Sequence, residues 1–230
     1  MKVCEIFETI QGEGLYTGAI TTFIRFMGCS LLCPKCDTAY AQKVASDSPE
    51  VGPPYIIDKM LDINPNVRHV CITGGEPLEQ PARELDILLK SISLWHGSRN
   101  LESITIETNG ARSIAAFVNQ PYRRILSFSV DYKPPSTGKT QNMIVQNYMH
   151  LTNRDVIKFV CADDGDVDCA FGLIRMLADK NTCQAIMLFH ADGGRPEQWL
   201  SKLILRKGTL FTNRFDIRLG VQLHKFYKVK

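Results

Sequence analysis

Val67-Arg68-His69-Val70-Cys71-Ile72-Thr73-Gly74-Gly75-Glu76-Pro77 sets the reading of the whole chain. Residues 67–73 are rich in β-branched and apolar side chains and predict a strand. Two glycines, a carboxylate and a proline then break it sharply. Residues 78–95 follow with Leu85, Leu88, Leu89, Ile92 and Leu94 at helical spacing. Strand, polar turn and helix in that order make the unit of a parallel sheet, since a parallel partner strand is reached only by a long crossover.

The same unit repeats in both directions. Upstream, residues 22–27 predict a strand and 56–63 a helix. Downstream, strands are predicted at 103–107, 124–130, 155–161 and 184–190, and helices at 112–118, 166–178 and 196–205. A last β-like run covers 215–223, and the polar, proline-bearing stretch 133–140 reads as a loop. Six or so parallel strands joined by helices make an α/β fold, either a doubly wound sheet or a partial (β/α)6-type barrel. At 230 residues the chain falls short of a complete eight-fold barrel of about 250. A trimmed, partly open barrel in one domain, residues 1–230, is therefore expected. Ligands of such sheets lie at the carboxyl ends of the strands. The unusual residues gather there: Gly28 and three cysteines, then Thr73 to Pro77, Glu107-Thr108-Asn109-Gly110, Asp131-Tyr132-Lys133 and His190-Ala191-Asp192.

Composition narrows the class further. Apolar residues make up 44% and charged residues 22%, as in ordinary folded proteins. Lys plus Arg at 27 against Asp plus Glu at 24 leaves +3, without the dense basic balance of a nucleic-acid binder. No apolar run approaches the roughly 18 residues of a membrane helix. Met1-Lys2-Val3-Cys4-Glu5 turns acidic before an apolar stretch builds up, so no signal peptide is expected. That leaves a cytoplasmic chain with eight cysteines. In a reducing compartment, cysteines that cluster bind metal or do redox work. Cys29, Cys33 and Cys36 cluster. Cys4, Cys71, Cys161, Cys169 and Cys183 are dispersed, the last two flanking a predicted helix, and all five read as small core residues.

The cluster lies in Gly28-Cys29-Ser30-Leu31-Leu32-Cys33-Pro34-Lys35-Cys36-Asp37, with spacing Cys-x3-Cys-x2-Cys. A structural zinc wants four closing ligands, and the next Cys or His is His69, so a zinc-binding interaction module is the weaker reading. Three thiolates on a four-iron cluster leave one iron open to a substrate. Gly74 and Gly75 allow close backbone approach, and Glu76 offers an acceptor to an amino group; a plain turn is the alternative.

This spacing, on the loop after the first predicted strand, resembles the signature of the radical S-adenosylmethionine superfamily. Gly74-Gly75-Glu76-Pro77 is similar to its second element. The resemblance implies a [4Fe–4S] cluster on Cys29, Cys33 and Cys36. Its open iron would chelate S-adenosylmethionine, whose reductive cleavage gives a 5′-deoxyadenosyl radical. Further segments resemble, in order, the 7-carboxy-7-deazaguanine synthase family: Glu5-Ile6-Phe7, Ile10-Gln11-Gly12-Glu13-Gly14, Phe23-Ile24-Arg25-Phe26, Cys36-Asp37-Thr38, Glu107 to Gly110, Ser129-Val130-Asp131-Tyr132-Lys133 and Gln222-Leu223-His224-Lys225.

That resemblance implies a radical SAM barrel and a carbon–nitrogen lyase. Its reaction turns 6-carboxy-5,6,7,8-tetrahydropterin into 7-carboxy-7-deazaguanine with loss of ammonia, for queuosine and related 7-deazapurines. No side chain beyond cluster and cosubstrate is expected to do the radical chemistry. The resemblance places Ile10, Gln11, Gly12, Glu13, Arg25, Thr73 and Lys230 on the pterin. It places Lys35, Cys36, Asp37, Gly75, Glu76, Glu107, Ser129, Val130, Asp131, Lys158, Phe189, His190, Ala191 and Asp192 around the cosubstrate. Thr38 takes the family's Mg2+ position, and magnesium suits oxygen ligands. On chemistry alone, Arg25 offers a fork to a carboxylate or forms a strand-end ion pair. Glu13 accepts from the donor edge of a guanine-like ring, residues 11–14 equally suit a plain turn, and Lys158 equally suits a structural ion pair. The chain departs from the family at Phe189-His190, where Gln-Pro or Met-Pro is common. His190 reads as a wall residue, with proton donation as the alternative. The resemblance further implies a homodimer and an electron donor such as flavodoxin or ferredoxin. A glycyl-radical activating enzyme shares the cysteine and Gly-Gly motifs but has no use for residues 11–14 or Thr38.

Overall fold

A computed structural model describes residues 1–46, 48–192 and 197–228. Among these residues eight strands follow chain order in one sheet: β1 (Val3–Ile10), β2 (Ile20–Phe26), β3 (His69–Gly74), β4 (Ser103–Thr108), β5 (Leu126–Asp131), β6 (Val156–Cys161), β7 (Ile186–Ala191) and β8 (Ile217–Leu219). β1 runs antiparallel to β2, and every later neighbouring pair is parallel. The helices are α1 (Pro53–Ile63), α2 (Ala82–Ser93), α3 (Val145–Met149), α4 (Asp164–Lys180), α5 (Glu197–Gly208) and α6 (Leu223–Tyr227). Among the described residues no ladder joins β1 to β8, so the sheet stays open. The partial barrel expected from the sequence is the fold found. β2 to β7 supply its six parallel strands; β1 and β8 extend the edges.

Alternation along each strand builds the two sides of the sheet. Ile72, Ile106, Phe128, Val130, Phe159 and Phe189 face one side. They join Met60 of α1, Leu85, Leu88, Leu89 and Ile92 of α2, and Phe171 and Ile174 of α4 in one buried core. The four α2 residues recur at three- and four-residue steps, the apolar stripe of a surface helix. Paired prolines open α1, and an Asp163 side chain accepting from Asp166 N at 2.9 Å caps α4. The other side carries Arg25, Thr73, Glu107, Asp131, Lys158 and His190 near the strands' carboxyl ends.

At the far end of that inner side, Leu15 packs on Val156, Ile186 and Leu188, and the Tyr16 ring meets His69 tilted by 34°, with centroids 5.1 Å apart. The β1–β2 connection is tied by Gln11 N to Ala19 O and Gly18 N to Gln11 O, both 2.8 Å. It fills the inside of the curled sheet and leaves residues 10–13 on its open side. The cysteine loop is fixed against the turn after β3. Gly75 N donates to Phe26 O at 2.9 Å and Glu76 N to Gly28 O at 2.7 Å. A β-carbon on Gly75 would stand 2.2 Å from Gly28 O, and Gly74 has φ +134°. The two glycines are thus required by one backbone lying on another.

Several expected elements differ. No helix forms at 112–118. The Asn147 side chain bonds Ile114 N at 3.1 Å, Gly110 O at 3.1 Å and Arg112 O at 2.7 Å, taking the backbone groups a helix would pair. α3, which carries Asn147, was not expected. Only 217–219 of the last β-like run pairs, and the chain turns into α6. Cys71, Cys161 and Cys183 are buried as expected. Cys4 and Cys169 are half-buried, and Cys169 lies within α4, 3.6 Å from the Tyr132 hydroxyl.

Candidate active site

The loops beyond the strands' carboxyl ends enclose a cavity of about 620 Å³. One end is formed by the cysteine loop, where Cys29, Cys33 and Cys36 all reach the wall as free thiols. Asn109, just past β4, donates to Cys29 Sγ at 3.4 Å. Thr38 Oγ1 lies 3.6 Å from Cys36 Sγ. Burial, against the pull of the Lys133 ammonium, pushes the Cys33 thiol up. Lys35 reaches across the mouth to Asp192 at 3.0 Å.

The floor is an ion-pair centre drawn from four elements. Lys158 Nζ of β6 meets Glu13 Oε2 at 2.6 Å and Asp131 Oδ1 at 3.1 Å. Asp131 also pairs with Lys133, and Gln222 donates to the other Glu13 oxygen. Burial opposes every charge here, yet the pairing wins. Lys158, against its own burial, is held well above the ordinary lysine range by Asp131 and Glu13. Glu13, also against burial, is held well below the carboxylate range, chiefly by Lys158. Asp131 is lowered by Lys133 and Lys158. Glu107 is the exception. Burial raises it, and its oxygens accept instead from Gln11 Nε2 at 3.2 Å and Thr73 Oγ1 at 3.0 Å.

Arg25 forms another wall, its Nε donating to Glu5 Oε1 at 2.9 Å. The segment after β8 closes the side between the sheet's edges. Gly220 N donates to Phe189 O at 2.8 Å and Leu223 N to Gly12 O at 3.1 Å, and the His224 ring lies directly on Gly12. Thiols at one end and ionised acceptors across the floor thus share one chamber.

No family model matches the chain. A 7-carboxy-7-deazaguanine synthase of Thermoplasma acidophilum is 34% identical over 227 residues, spanning 98% of this chain and 96% of that protein. The chain belongs to the 7-carboxy-7-deazaguanine synthase family. An enzyme of that name from Clostridium acetobutylicum is 35% identical over 173 residues, 75% of this chain and 74% of that protein. The crystal structure of QueE from Escherichia coli shares the fold, with a TM-score of 0.66 at 21% identity, covering 96% of this chain and 93% of that one.

As a 7-carboxy-7-deazaguanine synthase family member, the chain is a radical SAM lyase of queuosine biosynthesis, and the family implies a [4Fe–4S] cluster and S-adenosylmethionine as its cofactors. The donor set fits. Three soft thiols line one end of a chamber beside a glycine turn packed too closely for a side chain. The zinc-module and activating-enzyme readings fall away. No helix among the described residues is long and apolar enough to cross a membrane.

Most of the site residues expected from the 7-carboxy-7-deazaguanine synthase resemblance do meet in this chamber. Ile10, Gln11, Gly12, Glu13, Arg25 and Thr73 line it, as do Lys35, Asp37, Thr38, Gly75, Glu107, Ser129, Asp131, Lys158 and Asp192. Five others do not reach the wall. Val130 and Phe189 lie on the core side of their strands, Phe189 stacked between Phe159 and Phe171. Ala191 is half-buried off the wall. His190 is 1% exposed beneath Gly220, and both its ring nitrogens lack a hydrogen-bond partner among the described residues. Burial pushes it down to about 4. Glu76 lies behind the turn, its oxygens taken by Thr108 Oγ1 at 2.7 Å, Asn109 N at 2.8 Å and Leu78 N at 3.0 Å. Its carboxylate ties β3's turn to β4 and is spent inside the protein. Lys230 lies outside the described residues. Tyr40, Asn109, Lys133 and Gln222 line the chamber without having been singled out. The last three stand within the segments that carry the family resemblance.

Proposed function

We propose that this chamber binds the carboxytetrahydropterin against the Glu13–Lys158–Asp131 floor and S-adenosylmethionine at the cysteine end, within one domain spanning residues 1–230. The observation that carries the reading is that the thiol end and the acceptor-rich floor open into the same cavity. When bound, the cluster and cosubstrate supply the radical that starts the rearrangement. The chain's own residues bind and orient. Glu13, held ionised, accepts from the donor edge of the pterin, with Gln11 and Glu107 completing that edge. Arg25 presents its remaining N–H groups to the substrate carboxylate. Lys158 keeps Glu13 charged and in place. Asn109 steadies the Cys29 sulfur. Thr38, with a hydroxyl at the wall, supplies an oxygen to Mg2+.

The reading extends to a cytoplasmic homodimer reduced by a flavodoxin- or ferredoxin-like donor, the setting the family relationship supports. Anaerobic reconstitution should give about four irons and four sulfides per chain. Incubation with the carboxypterin, S-adenosylmethionine, magnesium and a reductant should then yield 7-carboxy-7-deazaguanine. Cys33→Ala should lose the cluster's absorption and all product. Cluster-replete protein that makes no deazaguanine ends the proposal.

A further inference from the structure

Arg25 is held from three directions. Its Nε donates to Glu5 Oε1 at 2.9 Å. The Tyr40 hydroxyl donates to that same oxygen, also at 2.9 Å. The guanidinium carbon lies 5.5 Å from the Phe7 ring centroid and 5.8 Å from that of Tyr40. Phe7 is itself stacked on Phe23 at 5.2 Å. Arg25, Tyr40 and Phe23 line the chamber, whereas Glu5 and Phe7 do not. The ion pair therefore occupies the Nε edge of the fork and leaves the Nη edge for the chamber side.

We infer that Tyr40 and Glu5 form a clamp that aims Arg25 at an anionic substituent of the substrate ring, making Tyr40 a positioning residue and a determinant of specificity for carboxylated over uncarboxylated pterins. The inference rests on the reading that Arg25 binds the substrate carboxylate. A fork–carboxylate contact is planar and tolerates little rotation of the guanidinium. Two rings and a hydrogen-bonded carboxylate remove that rotation before substrate arrives. Glu5 also balances Arg25 in the empty site, where the arginine is only 9% exposed and an uncompensated charge would be costly. Tyr40 sits in the short turn Ala39–Ala41 directly after Thr38, anchored by the wholly buried Ala41. Tyr40 is 58% exposed at the rim, so replacing it disturbs no core.

The test is equilibrium binding, followed by pterin fluorescence, of oxidised 6-carboxypterin and of pterin without the carboxyl group. Both are titrated into reconstituted wild type, Tyr40→Phe, Tyr40→Leu and Arg25→Gln. Wild type should prefer the carboxylated ligand, and Arg25→Gln should lose that preference. Tyr40→Phe should reduce it by about three- to tenfold, the scale of one ordinary hydrogen bond lost at one remove from the ligand, and Tyr40→Leu further. Binding of the plain pterin should barely change. In turnover the KM for the carboxypterin should rise by more than kcat falls, with the KM for S-adenosylmethionine unmoved. Loss of preference in Arg25→Gln with full preference in both Tyr40 variants overturns the clamp and spares the Arg25 reading. Preference retained in Arg25→Gln overturns that reading, and the clamp with it.

Discussion

Glu13 faces the chamber and Glu76 lies behind the β3 turn, yet the two are nearly equally withdrawn from water, at 8% and 0% exposure. Burial acts alike on both, raising the cost of a charge. Glu13 answers it with an ammonium, and its carboxyl falls well below the ordinary range. Glu76 answers with neutral donors from Thr108, Asn109 and Leu78, and burial still carries it up to about 7. An ion pair keeps a buried carboxylate available as a charge in a binding site. A cage of dipoles turns one into a structural tie. The wall residues sort accordingly, ionised acceptors inside the chamber and a spent acceptor behind it.

The largest way to break this contrast is Lys158→Met. It leaves Glu13 and Asp131 facing each other without their shared cation. Breaking a buried pair on one side costs about 3–5 kcal/mol, read as a shift in urea denaturation midpoint with unchanged slope. Substrate binding should be lost as well. A loss below about 1 kcal/mol would mean that water, rather than lysine, balances the floor.

Glu76→Gln is next. It turns an amide N–H₂ toward donors that need an acceptor, a cost of about 1–3 kcal/mol. The β3–β4 tie loosens, so the KM for S-adenosylmethionine should rise while the preference for carboxylated pterins stays.

Acidity separates the two glutamates more finely. Glu13's folded value is depressed below 4.5, so its contribution to stability is present above that pH and lost as pH falls below it. Glu76's is raised from 4.5 to about 7, so its contribution is complete below pH 4.5 and lost as pH rises through 7. Stability differences between wild type and Glu13→Gln should therefore shrink in acid. Those for Glu76→Gln should shrink between pH 4.5 and 7. A single shared window would erase the contrast.

The smallest effect belongs to His190→Asn. The ring is close enough to Glu13 to feel its charge but reaches no wall. Turnover should stay within about twofold, with the pH profile unmoved. A vanished acidic limb would restore His190 as a proton donor.

The parallel sheet and the thiol end were legible because their signals are local: strand, turn and helix in order, and three cysteines in eight residues. Val130 and Phe189, expected around the cosubstrate, lie off the chamber wall for a simple reason. A family segment marks a run of neighbours, but alternate residues on a strand face opposite sides. Val130 and Phe189 each stand one position from Asp131 and His190, which puts both in the core. Glu76 was read for its chemistry without its competitors Thr108 and Asn109, which arrive from the next strand. The helix at 112–118 failed to a side chain more than thirty positions away. Tyr40 carried no motif of its own, because its value comes from an oxygen it shares with an arginine on another strand.

The wall joined by Glu13 and Gln222 has a consequence for how the molecule is made. Those residues stand 209 positions apart, and chains fold from the amino end as they are synthesised. The thiol loop and its glycine bed come off the ribosome well before the segment that seals the opposite side. The chamber is therefore completed last on that flank, after its thiol end has already been made.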